Sequence, residues 1–501
     1  MPAPDTIQRT ILPIPDRPRT GLITYDAKDP DNQSPPIEQL RPPKEAPNIL
    51  IILLDDAGFG ATSAFGGPCQ TPNAEKLAAG GLRYNRFHTT PLCSPPRQAP
   101  LTGRNHHAVG MGAITEIATG APGYSSILPN TASPIARTLK LNGFATAQFG
   151  KCHEVPVWET SPVGPFDAWP TGGGGFEYFY GFIGGEAHQW YPSLYEGTTP
   201  IEPTKTPEEG YHLVEDMTDK AIAWIGQQKA LSPDKPFFVY FAPGATHAPH
   251  HVPKAWADKY KGKFDAGWDK LREETFARQK KLGVIPADSQ LTARHKEIPA
   301  WDDMPEALKP VLRREMEVYA GYMEYTDHHV GRLLDTLKSL DLLDGTLVYY
   351  IIGHNGASAE RTLNGTFNEM INFNGAEALE TPEFLMQRLD KLGGPESYNH
   401  YAVGWAHAMN TPYQWTKQVA SHWGGTRNGT IIHWPKGIKA KGELRTQFHH
   451  VIDIAATLLD VSGLPEPVSV NGVQQMPLQG VSMRYSFDDP KAAERRETQY
   501  F

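Results

Sequence analysis

The run Asn48-Ile-Leu-Ile-Ile-Leu-Leu-Asp55 constrains the fold most. Its unbroken aliphatic stretch has no polar face, so a strand built from it must be covered on both sides. That environment is the centre of a parallel sheet. Pro236-Phe-Phe-Val-Tyr-Phe241 and Gly345-Thr-Leu-Val-Tyr-Tyr-Ile-Ile352 have the same character. Phe144 to Phe149 reads as a short strand and Asn428 to Trp434 as a weaker one. Between them, Thr131 to Leu141 is expected to be a helix closed by Asn142-Gly143. Tyr319, Tyr322, Met323, Thr326, Val330, Leu333, Leu334 and Leu337 place one apolar face on a helix over 311–340. Val451 to Leu459 is a third apolar helix. Strands alternating with helices predict an α/β fold with a large, mostly parallel central sheet sandwiched by helices.

The 501 residues are 39% hydrophobic with a net charge of −9, which excludes a mainly disordered chain. No basic stripe interleaves with aromatics, so no nucleic-acid partner is expected. No membrane segment is expected either, since the longest aliphatic run is far short of the ~20 residues a spanning helix needs. The polar, proline-rich start carries no apolar leader, so a cytoplasmic protein is expected, or a periplasmic one if the N-terminus is incomplete. Three cysteines, Cys69, Cys93 and Cys152, exclude a disulfide scaffold. Residues 1–45 read as a proline-rich arm and 46–485 as the α/β domain, with a charged helical insertion at 255–310. Residues 486–501 read as the start of a truncated C-terminal segment, its last residues opening a strand.

Ligands of open parallel sheets bind beyond the carboxyl ends of the strands. Polar groups collect at such ends here: Asp55-Asp56, Lys151 and His153, Thr246-His247, and His354-Asn355. Paired carboxylates beside an Asn oxygen suit a hard divalent cation. The sharpest string is Cys93-Ser94-Pro95-Pro96-Arg97, followed by Leu101-Thr102-Gly103-Arg104.

With Gly150-Lys151-Cys152-His153, His247-Ala-Pro249, Asn355-Gly356-Ala357 and Gly424-Gly425-Thr426-Arg427 in this order, the chain from about 47 to 485 resembles the sulfatases. Within them it resembles large bacterial arylsulfatases, which belong to the alkaline-phosphatase superfamily. The resemblance implies an alkaline-phosphatase-like catalytic domain. It implies oxidation of Cys93 to formylglycine by a maturation enzyme, and hydrolysis of a small sulfate ester. Arg97 would fix the modified side chain. Lys151, His247 and Lys417 would hold sulfate and assist the leaving group, and His153 would orient or deprotonate a hydroxyl at position 93. Asp55, Asp56, His354 and Asn355 would hold one Ca2+. A phosphonate monoester or phosphodiester hydrolase is the alternative chemistry within the superfamily.

The resemblance also marks departures. Relatives carry aspartate where this chain has His354, which offers Ca2+ a nitrogen it disfavours. A catalytically impaired anion-binding relative is therefore a third reading. Pro100 replaces a leucine and should kink the helix that begins near Pro95. Cys152 stands in for a tryptophan and Arg361 for a glycine. His250 and His251 read as supporting residues, and His106, His107, His328 and His329 as packing residues. Relatives also continue past the equivalent of Phe501 into a smaller C-terminal domain.

Overall fold

The structure, a computed structural model, describes residues 7–16, 21–33, 37–360 and 363–501. Parts of the proline-rich arm, and Arg361, lie outside the described residues. Among the described residues an 11-stranded sheet crosses the molecule. From edge to edge it runs Glu443–Arg445, Leu82–His88, Arg427–His433, Thr346–Ile352, Asn48–Leu53, Phe237–Ala242, Ala145–Cys152, Tyr178–Ile183, Leu194–Glu196 and Thr199–Ile201. His449–His450 also pairs with Leu82–His88.

The four strands from Thr346–Ile352 to Ala145–Cys152 are mutually parallel, with Ile51 opposite Tyr349 on one side and Tyr240 on the other. Their carboxyl ends therefore share one edge of the sheet. Arg427–His433 is antiparallel to Thr346–Ile352, and Leu82–His88 is antiparallel to Arg427–His433. Two reversals restore the direction, so the segment after His88 emerges at the same edge, as does the segment before Arg427. This topology delivers Cys93 and Lys417 to the carboxyl ends of the four central strands.

Both faces of the sheet are covered because Asn48–Leu53 is apolar on both. Leu50 and Ile52 enter one core with Tyr319, Met323 and Val330 of the helix Lys309–Ser339 and with Met217 of the helix Leu213–Leu231. Ile49, Ile51 and Leu53 enter the other, with Ile454 and Leu458 of the helix Asp453–Val461 and Leu139 of the helix Ile135–Leu141. Each such aliphatic side chain, fully buried, contributes about 1.5–3 kcal/mol.

Several expectations are corrected. The strand expected over 144–149 runs from Ala145 to Cys152, so Lys151 lies within it. Leu82–His88 was not expected as a strand. Helix within 255–310 is confined to Lys254–Asp258, Gly267–Leu282 and the first residues of Lys309–Ser339. The stretch between carries Pro286, Pro299 and Pro305, which cannot donate to a helix ladder. No strand forms over 487–501; instead Arg496 pairs with the buried Asp453 at the start of a helix. In the arm, the Arg9 guanidinium donates to Asn142 at 3.0 Å, and Ile11–Leu12 pairs with Ser469–Val470. In the glycine loop 172–175, the Gly172 and Gly173 carbonyls accept from Arg137.

Candidate active site

Pro95 and Pro96 stand in the first turn of the helix Ser94–Thr102, where a missing N–H costs nothing, and Cys93 is its N-cap. The helix carries on through Pro100 and closes with Gly103 N–H donating to Ala99. It is buried along its whole length, so tertiary packing holds the turn that Pro100 weakens. Cys93 and Arg97 thus lie one turn apart at a buried helix N-terminus, whose amides favour an anion.

Asp55 and Asp56 are both buried at the end of Asn48–Leu53. Oδ2 of Asp55 accepts from Lys151 Nζ at 2.6 Å and from Arg97 at 3.0 Å. Burial pushes this carboxyl up, but Lys151, His354 and Arg97 together hold it far below the usual carboxylate range. Asp56, at φ 50°, accepts from the Asn355 amide at 2.7 Å and from Lys417 at 3.2 Å, with His247 Nε2 at 3.6 Å. Burial here prevails over both cations and raises Asp56 to about 6.

His247 donates from Nδ1 to the Ala248 carbonyl at 2.7 Å. Burial opposes its charge, yet Asp56 outweighs that and raises it to about 10, so it is cationic at neutral pH. Lys417 is buried between Asp56, His247 and Glu360, at 3.2, 3.2 and 2.9 Å. Against the burial penalty, Asp56, Cys93 and Glu360 hold its pKa well above normal. The Cys93 thiol, 3% exposed, is pushed up by burial and pulled down further by Lys151, Lys417, His153 and His247.

All the residues singled out in the sequence for catalysis or metal binding therefore meet around Cys93. Two partners went unread. Glu116 accepts from His153 Nε2 at 2.8 Å through both oxygens, which leaves Nδ1 unprotonated in the neutral ring, and the His153 side chain also reaches Cys93. Glu360 seats Lys417. Glu116 sits in a short turn, Thr115–Ile117, with no motif around it, whereas Glu360 follows Asn355 closely enough to have been weighed as a strand-end carboxylate. His250 packs among Tyr319, Tyr401 and His400, and His251 bonds the Ser397 carbonyl, both outside the cluster. His106, His107, His328 and His329 pack elsewhere against aromatic neighbours.

A family model for sulfatases matches residues 47–464. The chain belongs to the sulfatase family. An uncharacterized sulfatase of Schizosaccharomyces pombe is 31% identical over 448 residues, 84% of this chain and 76% of that one. The arylsulfatase of Klebsiella aerogenes is 28% identical over 454 residues, 88% and 92% of the two chains. In fold, the sulfatase resembles a phosphonate monoester hydrolase of Agrobacterium radiobacter at TM-score 0.53 and 18% identity, covering 90% and 79%.

Sulfatases are typically metal-dependent, and paired carboxylates beside an Asn oxygen are the donors a hard cation such as Ca2+ calls for. A hard cation of that size gathers about six to eight oxygens. In this sulfatase one oxygen of Asp55 is taken by Arg97 and Lys151, and Asp56 is engaged by Asn355 and Lys417. His354 presents a nitrogen. Asp55 Oδ1 and Asn355 Oδ1 are left without partners, and two free oxygens beside a nitrogen fall well short of what Ca2+ gathers.

Proposed function

We propose that this sulfatase hydrolyses sulfate monoesters of an aryl or otherwise small alcohol, after a formylglycine-generating enzyme has converted Cys93. The observation that carries this reading is the ring of groups around Cys93: Lys151, His153, His247 and Lys417 converge on one helix N-terminus. Such a pocket is built for an anionic group undergoing transfer. As formylglycine, residue 93 would supply a hydrated aldehyde, one hydroxyl to attack sulfur and the other to release sulfate as the aldehyde re-forms.

The chain's own residues divide the remaining work. His153, held through Nε2 by Glu116, has Nδ1 free to take a proton from the group at position 93. His247 carries a proton on Nε2 at neutral pH and can give it to the departing alcohol oxygen. Lys151 and Lys417 offset the negative charge of the transferred group from two sides. Arg97, paired with Asp55, braces the first turn of the helix against the sheet.

The test is hydrolysis of a chromogenic aryl sulfate and its matched phosphonate by protein co-produced with a formylglycine-generating enzyme, conversion being confirmed by mass. Sulfate turnover exceeding phosphonate turnover is expected. The reverse order would replace the reading with a phosphonate monoester or phosphodiester hydrolase. Sulfate binding without turnover of either ester, in fully converted protein, would mark an anion-binding relative.

A further inference from the structure

His354 is buried, and Nδ1 lies 2.9 Å from the Leu54 carbonyl oxygen. A carbonyl only accepts, so Nδ1 carries the proton, and in the neutral ring the Nε2 lone pair is left bare. Apart from the Cys93 thiol, that lone pair meets only Oδ1 of Asp55, 3.4 Å away and itself without a hydrogen-bond partner. Two acceptors facing each other in a dry interior, with only a thiol beside them, are costly unless something positive lies between them. Cys93 Sγ completes a trio in which every ligand atom lies within 4.8 Å of the others.

We propose that, in the unconverted chain, Asp55 Oδ1, Cys93 Sγ and His354 Nε2 bind a borderline divalent cation, zinc, in preference to calcium. Oxygen, nitrogen and sulfur donors in one set select such an ion, and calcium takes neither of the last two readily. Two ligands about 2.0–2.2 Å from a tetrahedral ion lie about 3.3–3.6 Å apart, which the Asp55–His354 spacing meets. The Leu54 carbonyl fixes the ring as the outer partner of a metal-bound imidazole commonly does. A second trio, Asp56, Cys93 and His247, is close enough but engaged, its carboxylate holding Asn355 and Lys417. On binding, the thiol proton leaves to buffer and sulfur bonds the ion as thiolate. The fourth position stays open to water. Oxidation of Cys93 to the aldehyde removes the sulfur donor and with it the site.

The experiment uses full-length protein made without a formylglycine-generating enzyme, Cys93 being verified as thiol by mass. Co2+ titration should give a near-ultraviolet sulfur-to-cobalt absorption, saturating at one equivalent. Zn2+ should abolish it, and excess Ca2+ should not. Cys93→Ser should remove the band, and the double variant Cys69→Ala, Cys152→Ala should keep it. His354→Asp should weaken Zn2+ at least about tenfold. The proposal is overturned if the band is absent, if it survives Cys93→Ser, or if Ca2+ displaces Co2+ as readily as Zn2+ does. No turnover is read, so failure here leaves the hydrolytic reading standing, and its failure leaves this one.

Discussion

Asp55 and Asp56 are neighbours in sequence, equally buried, and end the same strand, yet their surroundings drive them apart. Asp55 receives two full cations directly on one oxygen and stays ionised to low pH. Asp56 is met by an amide at short range, with its cations at 3.2 and 3.6 Å, and burial prevails. Depth alone does not set the charge of a buried carboxylate; the closeness of its counter-charges does. One side of the site is thus a fixed ionic brace for the helix behind Cys93, and the other is the cluster of Asp56, His247 and Lys417.

Cys93 lies between the two sides, so Cys93→Ala should have the largest effect, a fall in aryl-sulfate turnover of about 10⁴-fold or more. Activity within tenfold of the converted wild type would place the nucleophile elsewhere. Next, Asp55→Asn leaves Arg97 and Lys151 buried without a counter-charge and should cost about 3–5 kcal/mol in denaturant unfolding. Asp56→Asn should cost clearly less, and equal losses would erase the distinction.

The pH dependence sharpens it further, because the two carboxylates carry opposite signs. Asp56 binds its proton more tightly folded than unfolded, so its share of stability falls as pH rises from 3.8 to about 6. Asp55 is depressed, so its share is intact above 3.8 and lost as pH falls below. Neither slope can exceed about 1.4 kcal/mol per pH unit. In unfolding curves across pH, Asp56→Asn should therefore gain on wild type between pH 4 and 6 by up to about that slope, and a loss there would reverse the assignment. The smallest effect is expected from Glu116→Gln, which keeps the shape but lets His153 change tautomer. A drop in kcat of about tenfold with little change in KM is expected, and a change in KM alone would make Glu116 a binding residue.

The central strands were legible because Ile49 to Leu54 admits no polar face, and the strand-end clusters followed from parallel topology. Leu82–His88 was hidden by its charges. Arg83 and Arg86 look wrong for a buried strand, but each turns its guanidinium to a carbonyl, Ala64 and Thr446, and Arg86 also pairs with Glu494. Lys417 could be named from its place before Gly424-Gly425, although only the antiparallel strand that follows explains how it reaches the site. Glu116 could not be read at all, because what selects it is the position of His153 in space. Pro100 does not end its helix: its local cost is real, and the packing of a wholly buried helix offsets it.

The order of strands also sets a schedule. Asn48–Leu53 is synthesised early, but its neighbours are Phe237–Ala242 and Thr346–Ile352. At about 5–20 residues per second, an aliphatic segment with two open edges waits on the order of 15–60 s for the second of them. During that interval the most hydrophobic piece of the chain has no native place to go, so yield in a cell will depend on what shields it as much as on the stability of the finished fold.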